Sequence, residues 1–319
     1  MQFRSVVAVA GSLLTVGSLA ACNSTSTSPT ATLNATWVQA ISSYGPGKGQ
    51  LTYPMGIAAN ASNVVVSDQP SSRVQTFTSV GKFTTGWGTF GSRPGQMWVP
   101  QGVALDSQGN TYVADVGNSR IQVFNTKGGL VRSAGTRGTG PQNLTFPSGV
   151  AVAQDGAVYV ADSGNKRVQK LLPTGEFDGK FLAVQAGAKW EHPSGVAVDS
   201  KGNVWVTDPV ANKVRKLAPD GQQLAKWGDV GTGAGQLKSP QGIAVDSAQR
   251  VYVADTANNR VNVFSASGSF LGMWDGLGPQ SPNKPSAPAA VAIVESGSTV
   301  KLFIADSNGS KVQVVEVRW

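Results

Sequence analysis

Hydrophobic positions along most of this 319-residue chain come in short bursts, some alternating with polar residues, as in Ile121-Gln-Val123, and some rich in β-branched and aromatic residues, as in Val158-Tyr-Val-Ala161. Such alternation predicts half-buried strands rather than helices. Gly, Pro, Asn and Asp, the turn formers, separate the bursts. The bursts also repeat on a larger scale. Pro54, Pro100, Pro147, Pro193, Pro240 and Pro288 stand 46, 47, 46, 47 and 48 residues apart, and each opens the same phrase. Residues 100–124 read PQGVALDSQGNTYVADVGNSRIQVF; residues 240–264 read PQGIAVDSAQRVYVADTANNRVNVF. A fixed period with several short strands per unit predicts a β-propeller.

Each unit parses into four strands. Strand A is GVAVD-like and ends in a turn such as Asp106–Asn110 or Asp199–Asn203. Strand B ends at Asp68, Asp115, Asp162, Asp208, Asp255 or Asp306. Strand C starts five residues later, at Arg73, Arg120, Arg167, Lys213, Arg260 or Lys311. Strand D follows a glycine turn and often ends in Trp-Gly, as at Trp87-Gly88 and Trp227-Gly228. The last unit runs out after strand C, at Trp319. Residues Trp37–Gly45 have the look of the missing strand D, and they run into GPGKGQLTYP, which matches the GTGAGQLKSP that ends at Pro240. The expected fold is therefore an all-β, six-bladed β-propeller, residues 36–319, whose N-terminal strand completes the last blade and leaves no open edge.

The Pro-x-Gly-[Val/Ile]-Ala start, the Tyr-Val-Ala-Asp strand, the Asn-x-Arg-[Val/Ile] turn and the Gly-rich link resemble the NHL-repeat family of propellers. That resemblance covers nearly the whole chain after its first segment. It implies a fold more than a function, because members serve as ligand sensors, scaffolds, RNA binders and some enzymes. A seven-bladed WD40 ring is the alternative architecture, but the one Trp-Asp pair, Trp274-Asp275, sits outside that pattern.

Composition narrows the chemistry. One Cys and one His exclude an intrachain disulfide and any zinc site of several Cys or His ligands. A Ser-His-Asp triad could use only His192. Propeller relatives that are amidating lyases hold zinc with several His, which this chain lacks. Relatives that are lyases of cyclic peptide antibiotics use His beside acidic groups, and Glu191-His192 is the sole such pair here. Relatives of the lactonase type place carboxylates around a channel metal; Asp106, Asp199 and Asp246 read instead as turn residues. The expectation is a binding or scaffold module with no metal and no cofactor. A metal-dependent lyase or lactone hydrolase working in the central channel is the alternative.

The first residues carry a separate signal. Arg4, an apolar stretch from Val6 to Val16, and Leu19-Ala20-Ala21-Cys22 resemble a bacterial lipoprotein signal peptide. The resemblance implies cleavage after residue 21, lipid on the Cys22 thiol, and a Ser/Thr/Pro-rich tether over 22–35. An ordinary cleaved signal and a short uncleaved anchor are the alternatives. Asn23 is not the Asp that typically retains Gram-negative lipoproteins at the inner membrane, so a lipid-anchored place in the bacterial cell envelope, at the outer membrane or cell surface, is expected. Removing Arg4 leaves 25 basic against 18 acidic residues, an excess of +7. Behind an export signal this suits anionic glycans, lipid head groups or cell-wall polymers better than nucleic acid. The chain is expected to be monomeric.

Two sets of candidate residues follow. The repeated Asp and cation of each unit read as internal pairs that fix the B–C turn, with Asp also accepting backbone N–H bonds. Ligand contacts are sought where the repeat breaks, in the D–A and B–C loops that share one face: Tyr53, Gln69, Gln101, Phe146, Trp190, His192 and Gln241. The stretch Lys189-Trp-Glu-His192 is the most unusual of these.

Overall fold

A computed structural model describes residues 33–179, 190–276 and 284–319. The signal segment, Cys22 and most of the tether lie outside the described residues. Strands A to D of blade one are Pro54–Ala59, Asn63–Asp68, Arg73–Thr78 and Phe83–Trp87. Those of blade two are Pro100–Leu105, Thr111–Asp115, Arg120–Phe124 and Leu130–Ala134. Blade three has Pro147–Val152, Val158–Asp162 and Arg167–Leu171, then a single bridge from Leu171 to Phe177. Blade four has Val196–Val198, Val204–Asp208, Lys213–Leu217 and Gln223–Trp227. Blade five has Pro240–Val245, Val251–Asp255, Arg260–Phe264 and Phe270–Trp274. Blade six joins Pro288–Ser296, Thr299–Asp306 and Lys311–Arg318 to an N-terminal strand, Ala35–Ile41. Every sheet of this ring is antiparallel, and each A strand touches the A strands of both neighbouring blades.

The closing strand pairs from Ala35↔Val317 to Ile41↔Val312, with a bulge between Trp37 and Gln39. Leu33, just upstream of the expected boundary at residue 36, is buried in the cluster that holds Trp274, Val291 and Val315.

Burial falls from the middle strands of each blade outward. All five residues of Val251–Asp255 are buried, because a B strand is sandwiched between the blades on either side. Strand D, at the rim, mixes half-buried and exposed positions in blades one, two and four, alternating strictly in Phe83–Trp87. Apolar clusters fill the spaces between blades; Phe77 and Val66 of blade one meet Phe303 and Val314 of blade six.

The glycine of each Pro-x-Gly phrase has a steric reason. A Cβ on Gly56 would lie 2.0 Å from Gln101 O, one on Gly149 2.1 Å from Ser194 O, and one on Gly195 2.2 Å from Gln241 O. The A strands therefore approach through bare main chain. Hydroxyls stitch the same junctions: Ser67 Oγ donates to Gln101 O at 2.5 Å, Ser163 Oγ to Pro193 O at 2.5 Å, and Ser307 Oγ to Pro54 O at 2.6 Å. Gly149→Ala is expected to cost roughly 1–3 kcal/mol, since a rigid carbonyl must move. Gln154→Ala, on an exposed turn, should stay within about 0.5 kcal/mol of the parent. Thermal unfolding of the two variants checks the difference.

Candidate binding face

The antiparallel register puts the start of A, the end of B, the start of C and the end of D on one side of the ring, as in Pro54↔Asp68, Asp68↔Arg73 and Val74↔Trp87. The D–A and B–C loops consequently share a face. Its framework is built from the repeated charges. Asp115 Oδ1 accepts the Trp98 N–H at 2.7 Å, and Asp162 Oδ1 that of Thr145 at 2.7 Å. Ion pairs join Arg73 to Asp68 at 2.9 Å, Arg120 to Asp115 at 2.8 Å, Arg167 to Asp162 at 2.7 Å and Arg260 to Asp255 at 2.8 Å. Each guanidinium also donates to loop carbonyls, Arg120 to Ser92, Arg93 and Gln96 for example. Asp and Arg together clamp the D–A loop from below. Burial raises the Asp255 carboxyl pKa, against the lowering effect of its bonds from Asn258, Lys238 N–H and Arg260.

Where the cation is lysine, the pairing expected from the repeat is replaced. Lys213 Nζ reaches Gly228 O and, at 3.4 Å, Asp229; Asp208 is held by the N–H groups of Glu191, His192 and Ala211. Asp306 accepts Gln313 Nε2 at 2.6 Å and the Ser286 N–H at 2.7 Å, with no ion pair to Lys311 among the described residues. An ammonium lacks the planar fork that lets arginine hold a carboxylate and carbonyls at once.

The residues expected to meet a ligand separate into different environments. Phe146 is 49% exposed, with the Arg137 guanidinium over its ring at 5.8 Å. His192 is exposed, and Tyr53 and Gln69 are half-buried at the same face. Gln101 and Gln241 are half-buried and line the mouth of the central channel. Trp190 is a correction: it is 3% exposed, packed with Tyr159, Val168 and Val206, and covered by the Arg215 guanidinium at 4.7 Å. The reason is register. The residue three before each repeat proline, Leu51, Met97, Leu144 or Leu237, is fully buried, and Trp190 fills that place before Pro193.

Besides Phe146, three further aromatics of the described D–A loops are exposed. Tyr44 is 72% exposed, Phe90 70% and Trp98 48%. Tyr44 and Phe90 stand in equivalent places, each before a glycine whose φ is near 150° (Gly45 149°, Gly91 148°). Phe90 meets Trp98 edge-on at 6.3 Å. The aligned Gly-rich links carry a signal for them, as Tyr44 and Val230 hold the same column of the two matching segments. The residues before several repeat prolines, Val99, Phe146, Ser239 and Ala287, have φ between 50° and 57°. A left-handed residue before proline is strained, and such strain collects where loops are held for use.

The channel offers little room. Its cavity is about 60 Å³, against roughly 300 Å³ for the smallest ordinary ligand sites. Gly, Ser, Gln and aliphatic residues of the A strands line it, with no carboxylate, imidazole or thiol. Among the described residues no three of His, Cys, Asp or Glu converge on a point where a metal ion could sit.

Comparison with known proteins agrees with this architecture. The NHL repeat family matches residues 97–124, 144–171, 191–214 and 237–264. Blades one and six, outside those matches, have B strands that depart from the Tyr-Val-Ala-Asp pattern, Val65-Val-Ser-Asp68 and Phe303-Ile-Ala-Asp306. The protein brain tumor of Drosophila melanogaster is 38% identical over 63 residues, which are 19% of this chain and 6% of that protein. The chain thus spans only a small part of that curated relative's length. Among solved structures, a streptogramin B lyase superposes with a TM-score of 0.60 at 14% identity, covering 88% of this chain and 97% of the lyase. A gluconolactonase from Xanthomonas campestris gives a TM-score of 0.62 at 20% identity, covering 84% and 87%. At these identities the likeness is one of fold.

Proposed function

We propose that this NHL-repeat propeller is a non-enzymatic binding module, held at a bacterial envelope by lipid on Cys22, that presents its D–A and B–C loop face to a protein, peptide or glycan. The observation that carries the reading is the division between face and channel. Exposed aromatic side chains sit on rigidly clamped loops, while the channel is narrow and lined by Gly, Ser, Gln and apolar residues without a carboxylate, imidazole or thiol. Exposed rings on ordered loops supply contact area at low entropic cost. The opposite face consists of A–B and C–D turns, where carboxylates serve the turn itself, as when Asp106 Oδ1 accepts the N–H groups of Gln108 and Asn110.

The structural likeness to a streptogramin lyase and a gluconolactonase supplies the competing reading, an enzyme. Its one available imidazole, His192, is exposed beside Glu191, whose carboxylate lies 3.6 Å from Lys166 Nζ. Lactone hydrolysis and peptide-antibiotic cleavage by the purified chain are expected to be at background, with His192→Ala unchanged. A turnover abolished by His192→Ala overturns the binding reading. The anchor is tested separately: Cys22→Ser should move the protein from the detergent phase to the aqueous phase on partitioning, since lipid is the proposed anchor.

A further inference from the structure

The loop face has two unlike halves. In the D–A and B–C loops of blades one to three the charged residues are Lys48, Arg93, Arg137 and Lys166, with no carboxylate between Ser42 and Tyr53, Gly88 and Val99, or Gly135 and Phe146. In the described loops of blades four to six, Lys238 and Lys284 are offset by Glu191, Asp229 and Asp275. The exposed aromatics follow the same division. Tyr44, Phe90, Trp98 and Phe146 belong to the first half; the matching column of blade five holds Val230. Lys48, Arg93 and Arg137 make no ion pair among the described residues.

We propose that the loops of blades one to three bind an acidic polysaccharide, with sugar rings stacked on Tyr44, Phe90 and Trp98 and their carboxylates held by Lys48, Arg93 and Arg137. The inference rests on the binding reading above and names its partner. Three observations support it. The rings are exposed while their backbones are fixed, Gly45 N–H to Leu51 O at 3.1 Å and Gly91 N–H to Met97 O at 3.2 Å, so the platforms are preformed. Equivalent loop positions recur blade after blade at Tyr44, Phe90 and Arg137, and a periodic array suits a repeating polymer. Beside Lys48 a cleft of about 240 Å³ opens against Arg73, Thr84 and Thr85, so one of the cations adjoins a recess with polar walls. An acidic peptide would use the cations and leave the rings idle. Single-stranded nucleic acid would use both, but the export proposed above would take the chain away from it.

The test is calorimetric titration of the full chain with polygalacturonate and alginate, beside neutral dextran, poly-glutamate and poly-uridylate. Binding of at least one polyuronate is expected, with dextran and poly-glutamate about tenfold weaker or worse, and Phe90→Ala and Arg93→Ala each weakening it by roughly 5- to 50-fold. Val230→Ala, the matching site of blade five, should leave the affinity unchanged. Melting temperatures of all variants should match the parent, since these side chains are exposed. Failure of both polyuronates to bind overturns the inference, as does equal affinity for poly-glutamate or poly-uridylate, or indifference to Phe90→Ala. Those outcomes leave the broader binding reading standing, which falls instead to an activity dependent on His192.

Discussion

Deletion of Ala35–Ile41 should lower thermal stability by several kcal/mol and make the protein prone to self-association. The strand supplies Ile41, which is buried between blades one and six with Leu51, Phe77 and Val312. Burying one such side chain contributes about 1.5–3 kcal/mol. The deletion also strips the ladder from Lys311–Arg318, exposing an unpaired edge in a ring that otherwise has none between its first and last blades. A truncation of residues 23–31, upstream of the buried Leu33, is the comparison, and it should melt like the parent. Calorimetry and size-exclusion chromatography of both read the result. Indistinguishable melting would mean that the strand does not close the ring.

Trp190→Ala is expected to be the most damaging single substitution proposed, costing about 3–5 kcal/mol, as large-to-small changes of buried aromatics do. The indole fills the space between blades three and four and carries the Arg215 guanidinium on its face. Its loss would leave both a cavity and a buried cation without that cover. Trp190→Leu should recover part of the loss, because Leu51, Leu144 and Leu237 occupy the corresponding place in other blades. Urea unfolding of the two variants gives the ranking. Wild-type stability in Trp190→Ala together with loss of partner binding would return Trp190 to the loop surface.

The repeat arithmetic alone determined a good deal. Proline spacing, two-residue alternation and the stranded fourth strand of the last unit are enough for six antiparallel blades and their closure, because each rests on local backbone geometry that recurs six times. Pro-x-Gly marked the start of strand A, although its cause, a neighbouring carbonyl 2.0 Å from where the Gly56 Cβ would sit, belongs to the assembled ring. The Asp–cation spacing was likewise visible, but Arg and Lys look alike at that spacing. Only the three-dimensional loop, with carbonyls placed for a planar fork, separates the ion pair of Arg120 from the rearranged contacts of Lys213.

Loops were different. Tyr44, Phe90 and Trp190 are all aromatics in D–A links, and nothing in their residue type distinguishes the first two, on the surface, from the third, in the core. A strand announces its buried side through a period of two, because successive side chains must alternate. A loop has no such period. Whether one of its side chains turns inward depends on the space left by the blades beside it, and that space exists only once the ring has closed.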